Sequence, residues 1–454
     1  MNQSQEEIFG FFVMLKKLTR KRKKELGLFE VVAIALGGMV GGGIFSILGI
    51  SVDKIGNATP IAIVIGGVLA FFAAFSYVKL ALYYKDEGAT YSFFKKTFPS
   101  QARAASIIGW LIVFGYISTL GLYAFTFASY LSSILPGWTE PWQIKLVATG
   151  VLVLFAMVNL FSVKGMGKLE DIMVYTKMLI LLIISGLFLF HEGGQDIVPL
   201  ITSDTKWGDI IIIASITFVA YEGFQLVIHA YEEMDRPDRN VPRAIYIALA
   251  LACAIYLLLA AGAMSSIPKE LIIQDKEYAL AAGAKGILGE AGLFVVIFGV
   301  LLATSSAISG TIFGASRLMA VIAKDRYFPE ALEKRVKGHI PSNAIICMTI
   351  LAIGLMFSGG LQLLLEFGSI TFIMVSFLMA LANFKMRKQT KTSPLMGIVT
   401  MFGLACAGFS ILYYEWTEEP KQLLYICSVY VVLILIALLY GRKDKGLNPL
   451  SVAK

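Results

Sequence analysis

The stretch Gly37-Gly38-Met39-Val40-Gly41-Gly42-Gly43-Ile44-Phe45 lies within the first long apolar run of this chain, residues 28–49. Five glycines in seven positions make poor helix interior, each costing up to ~1 kcal/mol relative to alanine. Two readings are open: a small-residue face packed closely against a neighbouring helix, or a helix broken at its midpoint. A second interruption, Phe218-Val219-Ala220-Tyr221-Glu222-Gly223-Phe224, favours the break. It falls in the sixth apolar run, and runs one and six hold corresponding places in two halves of five. Interrupted helices at matching places in two halves point to the inverted-repeat architecture of membrane carriers. No residue-level repeat joins the halves, so the symmetry is topological only.

The rest of the chain agrees in kind. Of 454 residues, 57% are hydrophobic and 15% charged, whereas a soluble domain carries about 25% charged residues. A spanning helix needs ~20 mostly apolar residues. Further runs fall at 58–84, 104–134, 142–162, 170–190, 208–231, 242–266, 290–323, 342–358, 361–384, 394–415 and 423–441. The prediction is an all-α polytopic membrane protein with twelve transmembrane helices. Its parts would be an N-terminal segment 1–25, one five-helix half over 26–193, a second over 207–388, two more helices over 393–441 and a tail 442–454. No polar segment is long enough to fold alone as a catalytic domain.

The net charge of +8 does not mark a nucleic-acid protein. Lys and Arg collect where alternate ends of successive helices fall, from the Lys16–Lys24 cluster through Lys85, Lys95, Lys96, Lys164, Lys168, Arg236, Lys324 and Lys385 to Arg442. That is the positive-inside pattern, and it places both termini in the cytoplasm. The apolar stretch Ile8–Leu15 is too short to span and precedes its basic cluster, the wrong order for a signal peptide; it reads as an interfacial helix. Four cysteines sit singly inside apolar runs and three histidines are scattered, so neither a metal site nor a cofactor is expected. Trp138, Trp142, Trp207 and Trp416 fall at run ends, as an interfacial aromatic belt requires.

Unwinding a helix at mid-membrane is tolerable only where the freed backbone lines a cavity. Exposed N–H groups and a half-helix dipole suit a carboxylate, and freed carbonyls suit an ammonium or a cation. A site offering both fits an α-amino-acid zwitterion. The carboxylate cradle is expected at Gly41, Gly42, Gly43 and Ile44.

These residues resemble a known family. The stretch Gly37–Phe45 is similar to the G-x-M-I-G-x-G-I-F signature of amino-acid permeases of the APC superfamily. Ser76-Tyr77-Val78-Lys79-Leu80 with Glu87–Tyr91 resembles its S-Y-x-[EK]-L…G-G-x-Y stretch. Tyr221-Glu222-Gly223-Phe224 leading to Asn240–Ile245, and Gly314-Ala315-Ser316-Arg317 leading to Pro329, resemble two further segments in the same order. Lys79, the run Tyr175–Ile180 and Asn240–Ile245 resemble the archaeal ApcT-type proton-coupled members. The resemblance implies the LeuT fold and secondary active amino-acid uptake with proton symport at the plasma membrane. Its partners would be the amino acid, protons and the bilayer, in a monomer or weak homo-oligomer. Exchange, or carriage of cationic amino acids or polyamines, is the alternative; an embedded enzyme or a receptor is the reading from another class, and no catalytic motif supports it.

Lys177 lies about eight residues, ~12 Å of helix, into the fifth run. An ionisable residue at such depth is costly and marks a site with a partner; the other reading is a lysine snorkelling to the interface. The resemblance implies that its amine fills the place of an ion in sodium-coupled relatives, with the Gly37 carbonyl and the hydroxyl of Ser305 or Ser306 as partners. Glu222 departs from the ApcT-type pattern, which is apolar there. It pairs with a cationic substrate group, serves as a second proton site, or accepts hydrogen bonds from unwound backbone. His229 is a proton relay or a packing residue, and Glu366 an outer gate or a solvated helix end. Tyr116, Ser118 and Thr119, with Phe218, Tyr221 and Gly223, are candidates for the pocket around the substrate side chain.

Overall fold

The computed structural model describes residues 26–138, 140–161, 166–191, 200–201, 205–275, 278–336 and 340–441, with backbone alone at 166–170 and 441. The Lys16–Lys24 cluster, the Ile8–Leu15 stretch, Lys164, the Lys168 side chain and the tail from Arg442 lie outside the described residues.

Helix α1, Leu28–Met39, ends where Val40 leaves helical geometry at φ −83°, ψ 75°; α2, Gly42–Ile55, begins after Gly41 at φ −119°, ψ −140°. The expected first helix is therefore two, separated at the glycine cluster. Next come α3 (Thr59–Tyr84), α4 (Ala89–Thr97), α5 (Ala102–Ser132), α6 (Pro141–Phe161) and α7 (Met166–Leu189). Short α4 was not expected, because nine residues with four hydroxyls and two lysines carry no spanning signal.

The sixth run breaks more thoroughly than its sequence predicts. Helix α8, Trp207–Thr217, gives way to a 3-10 turn at Phe218–Tyr221, extended Glu222, and Gly223 at φ 118°. The chain then continues as 3-10 helix from Phe224 to Glu233. Helix α9 (Pro237–Ser266) starts five residues before the expected Val241-Pro242 boundary, because Arg236 adopts a left-handed conformation and Pro237 occupies the first turn, where its missing N–H costs nothing. Beyond short α10 (Lys269–Gln274), α11 (Ala279–Lys324) is interrupted at Gly289, φ 67°. Helices α12 (Ser342–Ser358), α13 (Leu361–Lys385), α14 (Pro394–Glu418) and α15 (Pro420–Gly441) complete the chain.

Ten segments among the described residues are long and apolar enough to cross a membrane, Gly42–Tyr84 counting as one; Leu28–Met39 and Ser342–Ser358 are shorter apolar helices. The protein is a multi-pass helical membrane protein. Burial sets two groups of helices at opposite extremes, with the other segments between them. The segments of α5, of α8 with its 3-10 continuation, and of α13 are 83–89% buried, whereas those of α6, α14 and α15 are 17–28% buried. The second group presents Phe161, Phe402, Phe409 and Leu424 outward, as a lipid-facing shell does. Trp142, Trp207 and Trp416 are likewise exposed.

Polar contacts gather where α1 begins and α11 ends. Leu26 pairs with the 3-10 segment through Leu26 N–H to Glu233 O (3.2 Å) and Asp235 N–H to Leu26 O (2.9 Å). Lys85 meets Asp238 at 3.0 Å, Lys95 meets Asp325 at 2.9 Å, and the Tyr91 hydroxyl donates to Asp325 at 2.6 Å. Asp86 receives the Lys96 ammonium and, at 2.7 Å, the Gly88 N–H. Burial by itself would push the Asp86 carboxyl up, but these donors outweigh it and hold it below the usual carboxylate range.

Candidate functional site

The two breaks touch. A Cβ on Gly223 would lie 2.7 Å from the Met39 nitrogen and 2.8 Å from the Gly38 oxygen; one on Gly38 would lie 3.1 Å from the Gly223 Cα. Gly223 also has a positive φ, so it is fixed as glycine both by conformation and by contact. A Cβ on Gly43 would meet the Ala220 Cα at 3.0 Å, and one on Gly42 would meet the Thr126 hydroxyl at 2.6 Å. Thus α2 enters against α5 on one side and the second break on the other.

Breaking a helix leaves carbonyls without their i+4 donors, and here side chains from three helices supply donors. The Tyr123 hydroxyl of α5 donates to Gly38 O at 3.1 Å. The Tyr256 hydroxyl of α9 lies 2.9 Å from both Met39 O and Ala220 O, one atom serving both breaks. Lys177, on α7 and with no exposed surface, donates from Nζ to Val40 O at 2.6 Å, to Gly37 O at 3.3 Å and to the Ser306 hydroxyl of α11 at 2.7 Å. The snorkelling reading fails, because a fully buried ammonium held by two helices is not reaching for the interface. Ser305 is partly exposed. The N–H groups of Gly42, Gly43 and Ile44 open α2 and so lack acceptors within it; they form the positive end of its dipole.

A second polar group stands at the other break. Glu222 is 2% exposed. Its Oε2 accepts from Gln225 Nε2 at 2.5 Å, whereas Oε1 is buried with no hydrogen-bond partner. Gln225 also donates to the Tyr116 hydroxyl at 3.1 Å and accepts the Gly223 N–H at 3.1 Å. One glutamine therefore links the carboxylate, the strained glycine and α5. Sequence reading missed Gln225, Tyr123 and Tyr256. The only available signal was the i, i+3 spacing of Glu222 and Gln225 within an apolar run.

The remaining candidates divide. Phe218 is fully buried within the break. Tyr221 donates its hydroxyl to Ile63 O in α3 at 2.8 Å, with its ring 5.3 Å from that of Tyr256; it anchors the break to α3. Ser118 binds Leu364 O of α13 at 2.7 Å, and Thr119 turns back onto Tyr116 O at 3.0 Å. His229 Nδ1 lies 2.6 Å from the Glu87 carbonyl. Seven residues of 3-10 rise, about 14 Å, separate His229 from Glu222, so the two exchange no proton directly. Glu366 is fully buried, which excludes a solvated helix end. A cavity of about 410 Å³ is apolar and lined by Trp110, Phe114, Met319, Phe328, Leu351 and Leu433; neither break contributes to it.

Two facing breaks, with a buried lysine at one and a buried glutamate at the other, bring polar groups together inside a helical membrane protein. A family model described as amino acid permease matches residues 26–444. The chain belongs to that family, the amino-acid permeases of the APC superfamily. It is similar over nearly its whole length to curated relatives. An uncharacterised protein of Methanocaldococcus jannaschii is 26% identical, covering 93% of this chain and 97% of its own. The inner membrane transport protein YbaT of Escherichia coli is 27% identical, covering 92% and 97%. The branched-chain amino acid permease BcaP of Bacillus subtilis is 24% identical, covering 94% and 95%.

Proposed function

We propose that this protein carries an amino acid across the plasma membrane by alternating access, coupled to protons, with Lys177 as the coupling group. The fold of this reading has twelve crossings, with inverted repeats over 26–193 and 207–388, two further helices over 393–441 and both termini cytoplasmic. The observation that carries it is the buried Lys177 ammonium, bonded across from α7 to the carbonyls of the first break and to Ser306 of α11. Charged, it holds three helices together. Neutral, it loses the charge-assisted part of those bonds, and the helices are freed to part. With an amine in that place, no monovalent cation is needed.

The substrate carboxylate sits at the start of α2, on the N–H groups of Gly42, Gly43 and Ile44, with Gly41 making the turn. Phe218, Tyr116, Tyr221, Glu222 and Gly223 surround the rest of the molecule. The printed names of relatives such as BcaP support an amino acid as the cargo. The unpartnered Glu222 Oε1 favours one variation, a cargo with a second cationic group. Uptake of labelled amino acids into proteoliposomes, driven by an inward proton gradient in sodium-free buffer, tests the proposal. Transport that needs sodium and ignores a proton ionophore refutes the coupling.

A further inference from the structure

A second buried ionisable pair lies away from both breaks, between the first turns of α13 and the junction of α14 with α15. Glu366 of α13 and Glu415 of α14 both have no exposed surface, and their carboxyls face each other. Their surroundings are unequal. Glu366 is met at Oε1 by Gln362 Nε2 at 2.8 Å and at Oε2 by Gln422 Nε2 from the first turn of α15. Neither oxygen of Glu415 meets a donor in hydrogen-bonding geometry, although the Glu366 carboxyl and the Gln422 amide are its polar neighbours.

Charge does not resolve this. Lys54, at the end of α2, lies 3.8 Å from Glu418 and 5.0 Å above the Tyr414 ring, and is engaged there. Asp53 and Glu418 flank that lysine, and Glu419 adds further negative charge beside Glu415. Two ionised carboxylates in contact and out of water repel each other and lack hydration. An ionised carboxylate only accepts, so two carboxyls can bind each other only with a proton between them. Glu366, already holding two amide donors, is the natural acceptor; Glu415, holding none, is the natural acid.

We propose that Glu366 and Glu415 form a carboxyl–carboxylate proton site, carrying one proton at neutral pH and clamping α14 and α15 onto α13. Its ligand is a proton, its place is separate from Lys177, and it stands whether or not Lys177 couples transport. Loss of that proton turns the clamp into a repulsion between α13 and α14, and so loosens the peripheral helices from the packed core.

Two measurements on the full-length protein in mixed micelles test it, and neither involves transport. Infrared difference spectra at pH 7 should show a deuterium-sensitive protonated-carboxyl band that loses one group's intensity in Glu415→Gln, whose amide donates to an ionised Glu366. Equilibrium unfolding supplies the second readout. The folded state holds a proton that the unfolded chain releases above a carboxyl pKa of ~4.3, so stability falls as pH rises, with the unfolding constant growing about tenfold per unit until the site itself ionises. Glu415→Gln should reduce that slope by one proton's share. If that variant does not fold, the isosteric pair Glu366→Gln with Glu415→Gln keeps the test open. A carboxyl band unchanged in Glu415→Gln, or a slope undiminished in the double variant, overturns the proposal. So does a chelator-washed protein that lacks the band and gains stability with added calcium, since a cation and not a proton would then hold the pair.

Discussion

Replacing Lys177 by alanine removes an ammonium that donates to Val40 O, Gly37 O and the Ser306 hydroxyl. A hydrogen bond from a charged donor contributes ~1.5–3 kcal/mol and a neutral one ~0.5–1.5 kcal/mol, so protonation adds ~1 kcal/mol per contact. Over three contacts the charged form favours the bridged arrangement by ~3 kcal/mol, a population shift of about a hundredfold. That is enough to make the helix arrangement follow the proton. With an inward gradient of about one pH unit, symport of one proton supports roughly tenfold accumulation, since one unit equals ~1.4 kcal/mol. Lys177→Ala proteoliposomes should equilibrate substrate, with an inside-to-outside ratio near one, while still binding it in a scintillation proximity assay. Lys177→Arg should fail similarly, because a guanidinium does not deprotonate in proteins. Lys79, partly exposed with Nζ 5.6 Å above the Phe75 ring, is the control, and its alanine variant should accumulate normally. Tenfold accumulation by Lys177→Ala, with ordinary dependence on external pH, refutes the reasoning.

Gly223→Ala should cost ~1–3 kcal/mol from its positive φ alone, with the collision against Gly38 and Met39 added, and a melting point in detergent equal to wild type would contradict the contact described. Glu222→Gln should abolish uptake of lysine, arginine or amines and spare small neutral amino acids; equal loss across all substrates would assign Glu222 to the architecture of the break instead. Tyr256→Phe leaves two buried carbonyls without their shared donor, an expected loss of ~1–3 kcal/mol read by equilibrium unfolding, and an unchanged stability would show that the hydroxyl bridges nothing. Asp86, held below the usual carboxylate range, contributes stability above an unfolded pKa of ~3.9 that is lost as pH falls through its lower folded value. Asp86→Asn should therefore narrow its deficit against wild type below pH ~4, and a pH-independent difference would remove the carboxylate's role.

The glycine cluster, the second break and the depth of Lys177 were legible in the sequence because each violates the rules of an apolar helix. What the breaks require was not legible. Tyr123, Tyr256 and Gln225 look like ordinary packing residues until Gly38, Met39, Ala220 and Gly223 leave the helical ladder and need partners. Periodicity also cannot tell an α-helix from a 3-10 helix over Phe224–Glu233, so the distance from Glu222 to His229 was not legible. The burial of Glu366, which excludes one of its two readings, was hidden for a different reason. Its cover comes from α14 and α15, and no local signal in α13 announces neighbours some fifty residues away.

The contact between Gly38 and Gly223 has a consequence for how such a carrier diversifies. Neither position admits a side chain, so backbone meets backbone and no mutation there can adjust what the protein accepts. On the proposed reading of the site, variation in cargo falls to the residues around the contact, at Tyr116, Phe218, Glu222 and Gln225. Among these, Gln225 touches the carboxylate, the glycine and α5 together, so a change in specificity that passes through it must be accompanied by a second substitution.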